Sequence, residues 1–190
     1  MKKKIITSIL IMSIVLLGSF YFKANFSRSY HHTFTKSTDL SKENVEGIYL
    51  NDEIDSEKIV SKYGKILDFS RDNSLYNYYF LRKGIEVATN KDENKIIRFI
   101  VNDKNLKTEK GIKIGDKKDK IIELYGDNYY SRLEQGTNII GYVDKEKDYS
   151  IEFWLGEEGI IFYRFDYTFM GWIGIGEYEI YDGSFDRYVK

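Results

Sequence analysis

A chain of 190 residues, 42% hydrophobic and 31% charged, fits one domain or two small ones and is too apolar to stay disordered. With no cysteine it excludes disulfides, thiolate catalysis, cysteine-ligated zinc and a lipid-bearing cysteine behind a signal. The net charge is −1, and residues 25–190 carry 25 basic against 30 acidic side chains, which excludes the clustered cations that nucleic acid requires.

The first predicted element is a targeting helix. Lys2, Lys3 and Lys4 precede an apolar run from Ile5 to Phe22, the layout of an export signal. Eighteen residues at 1.5 Å each span about 27 Å, close to the hydrocarbon thickness of a bilayer. Phe20, Tyr21 and Phe22 stand where a cleavage site needs small residues, and with Lys23 they resemble an interfacial belt. Residues 1–24 are therefore expected to be a signal-anchor, with a cleaved signal peptide as the alternative. The positive-inside rule keeps Lys2–Lys4 in the cytoplasm and places the rest outside the cell membrane, single-pass; cleavage would secrete it. Residues 25–45 read as a polar tether with a short helical turn near Leu40–Val45. His31 and His32 fall in it, and adjacent histidines with no carboxylate pattern read as linker rather than metal site.

Beyond the tether the sequence repeats. Gly47-Ile48-Tyr49-Leu50-Asn51-Asp52 leads to Ile59-Val60-Ser61-Lys62-Tyr63-Gly64. Some 62–64 positions on, Gly111-Ile112-Lys113-Ile114-Gly115-Asp116 leads to Ile121-Ile122-Glu123-Leu124-Tyr125-Gly126. The predicted units are 46–110 and 111–167. Each opens with a short helix, capped by Asp55 or Ser56 in the first and by Asp116 in the second (Lys117–Tyr125), and each helix stops at a glycine, Gly64 or Gly126. Lys104–Lys120 between them mixes lysines with acids and reads as a solvated connector.

Three strands are predicted after each helix: Leu75–Leu81, Gly84–Ala88 and Lys95–Val101, then Asn138–Val143, Tyr149–Leu155 and Ile160–Tyr167. Glu86 and Arg98 are 12 apart, as are Glu152 and Arg164. That spacing predicts hairpins pairing these residues around Lys91-Asp92-Glu93 and Glu157-Glu158-Gly159. Alternation puts Ile85, Val87, Ile97, Phe99 and Val101 under the helices, with Ile151, Phe153, Leu155, Ile161, Tyr163 and Phe165. The other face carries Glu86, Ala88, Ile96, Arg98 and Ile100, with Glu152, Trp154, Phe162, Arg164 and Asp166. The expected fold is α+β: two tandem helix-plus-antiparallel-sheet repeats, helices on one face of a continuous sheet. Residues 168–190, with Gly171–Gly176 and Tyr178–Tyr181, read as a C-terminal strand extension.

These motifs carry a resemblance. Gly111–Asp116, the helix ending Leu124-Tyr125-Gly126, and Ile151-Glu152-Phe153 before a Gly-Glu-Glu-Gly turn resemble the small repeats of the β-lactamase-inhibitory-protein superfold, whose layout the SmpA/OmlA envelope lipoproteins share. The tandem copies look most like the N-terminal domain associated with secreted CAP-type proteins of Gram-positive bacteria. The resemblance covers about residues 47–167. The chain departs from these relatives in lacking a lipobox cysteine and in having no CAP module after the repeats. What the resemblance implies is a binding module rather than an enzyme, working through an open sheet face.

The candidate binding residues on that face are Glu86, Arg98, Glu152, Trp154, Phe162 and Arg164. The Glu/Arg positions read either as cross-strand ion pairs, each contributing roughly 0.2–1 kcal/mol, or as part of a docking surface, since Arg and Trp are common interface anchors. Tyr76, Tyr78, Tyr129 and Tyr130 suit sugar stacking or the core equally. Asp52, Glu53 and Asp55 read as helix-entry acids, because no calcium-loop spacing completes them. No nucleophile elbow, phosphate loop, metal set or cofactor motif is present. The expectation is a non-enzymatic, membrane-anchored extracytoplasmic protein that docks an unknown protein or a cell-wall polymer. Alternatives are a wall-associated glycan hydrolase with paired carboxylates and an inhibitor or immunity-type protein.

Overall fold

The structure is a computed structural model that describes residues 2–26, 28–65, 69–72 and 76–168, without the side chains of 2–5, 20–26 and 69–72. Two helices, α1 (Lys2–Phe26) and α2 (Arg28–Phe34), come first. The short helix α3 (Glu57–Tyr63) precedes four strands, β1 (Phe69–Asp72), β2 (Tyr76–Arg82), β3 (Ile85–Asn90) and β4 (Ile96–Val101). Helix α4 (Lys118–Tyr125) precedes four more, β5 (Tyr130–Glu134), β6 (Thr137–Asp144), β7 (Tyr149–Gly156) and β8 (Gly159–Tyr167). The expected extension at 169–190 lies outside the described residues.

All eight strands form one antiparallel sheet in the order β1-β2-β3-β4-β8-β7-β6-β5. The order reads the same from either edge, with the last strand of each half at the centre. The main core lies where α3 and α4 pack: Ile59, Ile121 and Tyr125 join Ile85, Val87, Phe99, Ile151, Phe153 and Phe165 in one buried cluster. Both helices end at a glycine with positive φ, 80° at Gly64 and 89° at Gly126, a region that L residues enter only with strain.

Two bulges change the expected faces. β4 opposes Ala88 with Arg98 but Thr89 with Ile96, so Ile97 is the extra residue. Ile96 therefore enters the main core and Ile97 turns to the other face, the reverse of strict alternation. In β8 the extra residue is Ile161, which is 43% exposed, while Ile160 takes its place in the core. The hairpins differ too. Glu152 pairs with Arg164 as expected, but Gly156 pairs with Gly159 around a two-residue turn. In the first half Arg98 faces Ala88, and Glu86 faces Ile100.

Asp116 does not cap α4. Lys117 holds the N-cap position, and Asp116 instead accepts the Lys113 N–H at 2.9 Å and the Lys120 ammonium at 2.9 Å. Asp52 does the same with the Tyr49 N–H and Lys58. Each turn is stitched to a strand start by two backbone bonds: Asn51 N–H to Ile96 O and Ile96 N–H to Asp52 O, then Gly115 N–H to Ile160 O and Ile160 N–H to Asp116 O.

The expected tether is packed against the sheet. Ser37 bridges Val143, Leu40 and Val45 are in the core, and His32 is buried. A turn rather than a helix follows Leu40. Helix α1 contacts β5. Among the described residues no helix is long and apolar enough to cross a membrane.

Candidate functional site

The six residues expected on an open face sit together on the sheet side opposite α3 and α4, but the face is closed. Their exposures run from 0% at Glu152 and 1% at Arg98 to 7% at Phe162. The alternation that aims them there is the one read from sequence; their burial was not legible, because it depends on what packs above the sheet.

An apolar half and a charged half divide this face. Trp154 and Phe162, paired across β7 and β8, stack with ring centroids 4.7 Å apart. They join Tyr76, Tyr78, Ala88 and Ile100 in a second buried cluster. The guanidinium carbons of Arg164 and Arg132 lie 5.6 and 5.9 Å from the Trp154 ring centre, within cation–π range.

Two carboxylates organise the charged half. Glu152 accepts from Arg132 Nε at 2.9 Å, Arg164 at 2.6 Å and the Tyr130 hydroxyl at 2.6 Å, with Arg28 Nε 3.2 Å away. Asp166 accepts from Arg98 at 2.9 Å, Ser150 at 2.7 Å and Arg28 at 2.5 Å. Arg98 also donates to Tyr78 at 3.1 Å, and Arg132 to Glu134. Burial by itself would raise both carboxyl pKa values. The charges of Arg132, Arg28 and Arg164 overcome it at Glu152 and hold that group well below the usual carboxylate range. Arg28, Arg98 and Arg164 do the same for Asp166, less strongly. Both remain ionised at neutral pH.

Sequence reasoning missed Arg28, His32, Tyr130, Arg132 and Asp166 as partners in this cluster. Asp166 was placed on the correct face without a role. Arg28 and His32 lie in the segment that reads as a tether, and β5, which carries Tyr130 and Arg132, has no strand prediction in the sequence. The His32 ring faces Tyr130 Oη at 3.2 Å and the Thr168 carbonyl at 3.3 Å. Burial, aided by Arg28, lowers its pKa to about 4. Tyr130 is buried, and burial and the Glu152 charge raise its pKa well above 10. His31 stacks on the Tyr130 ring at 4.9 Å. Beside it a groove of about 440 Å³ is lined by Phe34, Lys36, Asp127, Asn128 and Tyr129.

Among the described residues, no three His, Asp or Glu side chains gather as a metal site. Burial raises the Glu43 carboxyl, which accepts from Tyr125 Oη at 2.6 Å and from the Glu109 N–H.

No family model matches this chain, and no curated protein does. Among solved structures it is similar to a cysteine-rich secretory protein from Staphylococcus aureus, with 16% identity over 78% of this chain and 48% of that one and a TM-score of 0.45. A second is an extracellular protein containing an SCP domain from Bacillus anthracis, at 12% identity, 71% and 50% coverage and TM-score 0.45. A third is a DUF4309 family protein from Bacillus subtilis, at 10% identity, 74% and 92% coverage and TM-score 0.37. The chain spans about half the length of the first two.

Proposed function

We propose that this chain is a membrane-anchored, extracytoplasmic, non-enzymatic binding protein. The observation that carries the reading is the exposed apolar surface of α1: its described side chains, residues 6–19, are by themselves shorter than a span, and the apolar sequence runs on from Ile5 to Phe22. Ile6, Ile9, Leu10, Ile11, Met12 and Leu17 are each 57–70% exposed, so apolar side chains point outward all round the helix. A helix apolar on every side is stable only when covered, by lipid or by protein. Lipid is the occupant that its position behind Lys2–Lys4 and ahead of Tyr21, Phe22 and Lys23 favours. Residues 28–168 then stand outside, built from two copies of one helix-plus-meander unit.

The non-enzymatic part of the reading is supported by the charged cluster. A glycan hydrolase needs one protonated carboxyl and one ionised one beside the substrate. Glu152 and Asp166 are 0% exposed, arginine-bound and both ionised, so neither holds the proton. The partner is a protein or an envelope polymer.

The absence of cysteine makes the topology simple to test. Lys4→Cys and Asp148→Cys are labelled in intact cells with a membrane-impermeant thiol reagent. The reading expects Cys at position 148 to react in intact cells and at position 4 only after permeabilisation. Labelling of both sites in intact cells, or extraction of the chain by alkaline carbonate, overturns it.

A further inference from the structure

The charged half of the buried face contains one cation that its acids do not need. Arg132 and Arg164 already serve Glu152, at 2.9 and 2.6 Å. Arg98 serves Asp166 at 2.9 Å, and Ser150 adds a hydroxyl donor. These groups all belong to the sheet. Arg28 comes from outside it, two residues past the end of α1. Its guanidinium spans the two acids: Nη2 donates to Asp166 at 2.5 Å and to Ser150 at 3.0 Å, and Nε lies 3.2 Å from Glu152 as an ion-pair contact without hydrogen-bond geometry. Arg28 is the largest single contributor among the charges that lower Asp166.

A planar fork with several fixed donors matches a surface of two carboxylates and a hydroxyl, which a point-charge ammonium does not. We propose that Glu152, Asp166 and Ser150 form a guanidinium-binding site whose resident occupant is Arg28, so that residues 28–34 are a latch and the site, once vacated, accepts an arginine side chain of a protein partner. The sheet's own arginines keep both acids paired when Arg28 leaves, so opening the latch leaves no bare buried carboxylate and is compatible with an intact fold. Arg28 follows α1 directly, so force or rotation on that helix reaches the site through two residues of chain. Tyr130, with His32 and His31 against it, holds the rest of the latch on β5. This proposal concerns the folded domain and does not depend on the membrane topology above.

The test uses the full chain in detergent micelles, as wild type, Arg28→Ala and Arg28→Lys. Methylguanidinium is titrated in and followed by backbone amide shifts in β7 and β8, with methylammonium as the control cation. Hydrogen exchange is read over residues 28–38. Arg28→Ala is expected to bind methylguanidinium saturably and not methylammonium, and to lose protection over 28–38 while the sheet keeps its own. Wild type should bind more than about tenfold more weakly, because a closed latch reduces apparent affinity by the fraction open. Arg28→Lys should lie between the two. A folded Arg28→Ala chain that takes up no methylguanidinium, takes up both cations alike, or keeps its latch protection overturns the proposal. So does an Arg28→Ala chain that fails to fold while Arg28→Lys folds, since a cation at position 28 would then be required by the fold and could not leave as a latch.

Discussion

Phe99 and Phe165 face each other across the seam between β4 and β8, their ring planes 11° apart and their centroids 6.5 Å apart. They are the register pair at the middle of a sheet whose strand order is the same from both edges. Both rings are at most 1% exposed and belong to the cluster under α3 and α4. The contact joins the two halves of the molecule by packing as well as by backbone bonds.

Either ring truncated alone leaves a cavity at that seam. Phe99→Ala and Phe165→Ala should each cost about 3–5 kcal/mol, read as the shift in the urea midpoint. The two share one space, so the double variant should cost less than the sum, with a coupling of about 0.5–3 kcal/mol. Additive losses would mean that the rings pack independently and that the halves are joined by backbone pairing alone.

Gly159 tests the stitching of the α4 entry turn to β8. Its φ is +133°, and an added Cβ would stand 2.5 Å from the Gly115 carbonyl oxygen and 2.7 Å from that of Asp116. Neither is a flexible side chain. Gly159→Ala should therefore break the Gly115–Ile160 and Ile160–Asp116 bonds and cost well beyond about 1 kcal/mol. Gly136→Ala is the control: φ is +79° and nothing lies within 4 Å, so it should cost only about 1–2 kcal/mol. Equal losses would put the effect in the backbone angle and not in the close approach.

Helices α1, α3 and α4, six of the strands and the two sheet faces are legible because hydrophobic spacing and glycine stops are local, whereas α2 falls in the segment that reads as a tether. What escaped was set by neighbours distant in the chain. β1 and β5 are edge strands, and in Tyr130–Glu134 alternation is marked only by Tyr130, Arg132 and Leu133, a pattern that does not separate core from rim. The bulges at Ile97 and Ile161 exchange one isoleucine for its neighbour, Ile96 for Ile97 and Ile160 for Ile161, which composition cannot reveal. Above all, Arg28 and His32 lie in a polar segment that looks like linker, and only their contacts with Asp166, Glu152 and Tyr130 tie that segment to the sheet. The spacing pairs Glu152 with Arg164, as the register does, but leaves their exposure open, because a charged pair under cover and one in water have the same sequence.

The pH dependence of stability should carry the mark of His32. The unfolded ring takes a proton near 6.5 and the folded ring only near 4, so between those values the unfolded chain binds more protons. Stability from this group is complete above pH 6.5 and falls as the pH drops toward 4, by at most about 3 kcal/mol. Asp166 and Glu152, whose folded values are lowered, extend the loss below their ordinary values of 3.8 and 4.5. Glu43 has the opposite sign: its raised value gives stability that is present below 4.5 and lost as the pH rises through the folded pKa. Denaturant midpoints from pH 7 to 4 should show a slope for wild type that His32→Gln reduces. An unchanged slope would place the ring in solvent.

The double variant Arg98→Ala, Arg164→Ala should unfold the chain. Both guanidiniums are at most 6% exposed at the side chain and hold Asp166 and Glu152. The sharper substitution is Glu152→Gln, which keeps the shape and removes the charge. Arg28, Arg132 and Arg164 would then stand around a neutral amide, and breaking a buried pair from one side costs about 3–5 kcal/mol. Asp52→Asn, removing the partner of a half-exposed lysine, should cost no more than about 1 kcal/mol. The two are compared by urea denaturation at pH 7 in low and in 0.5 M salt. Glu152→Gln should retain its deficit in salt, because a buried cluster is poorly screened, whereas the smaller Asp52→Asn deficit should shrink. Should Glu152→Gln prove as mild and as salt-sensitive as Asp52→Asn, the face is open to water and the latch has nothing to close.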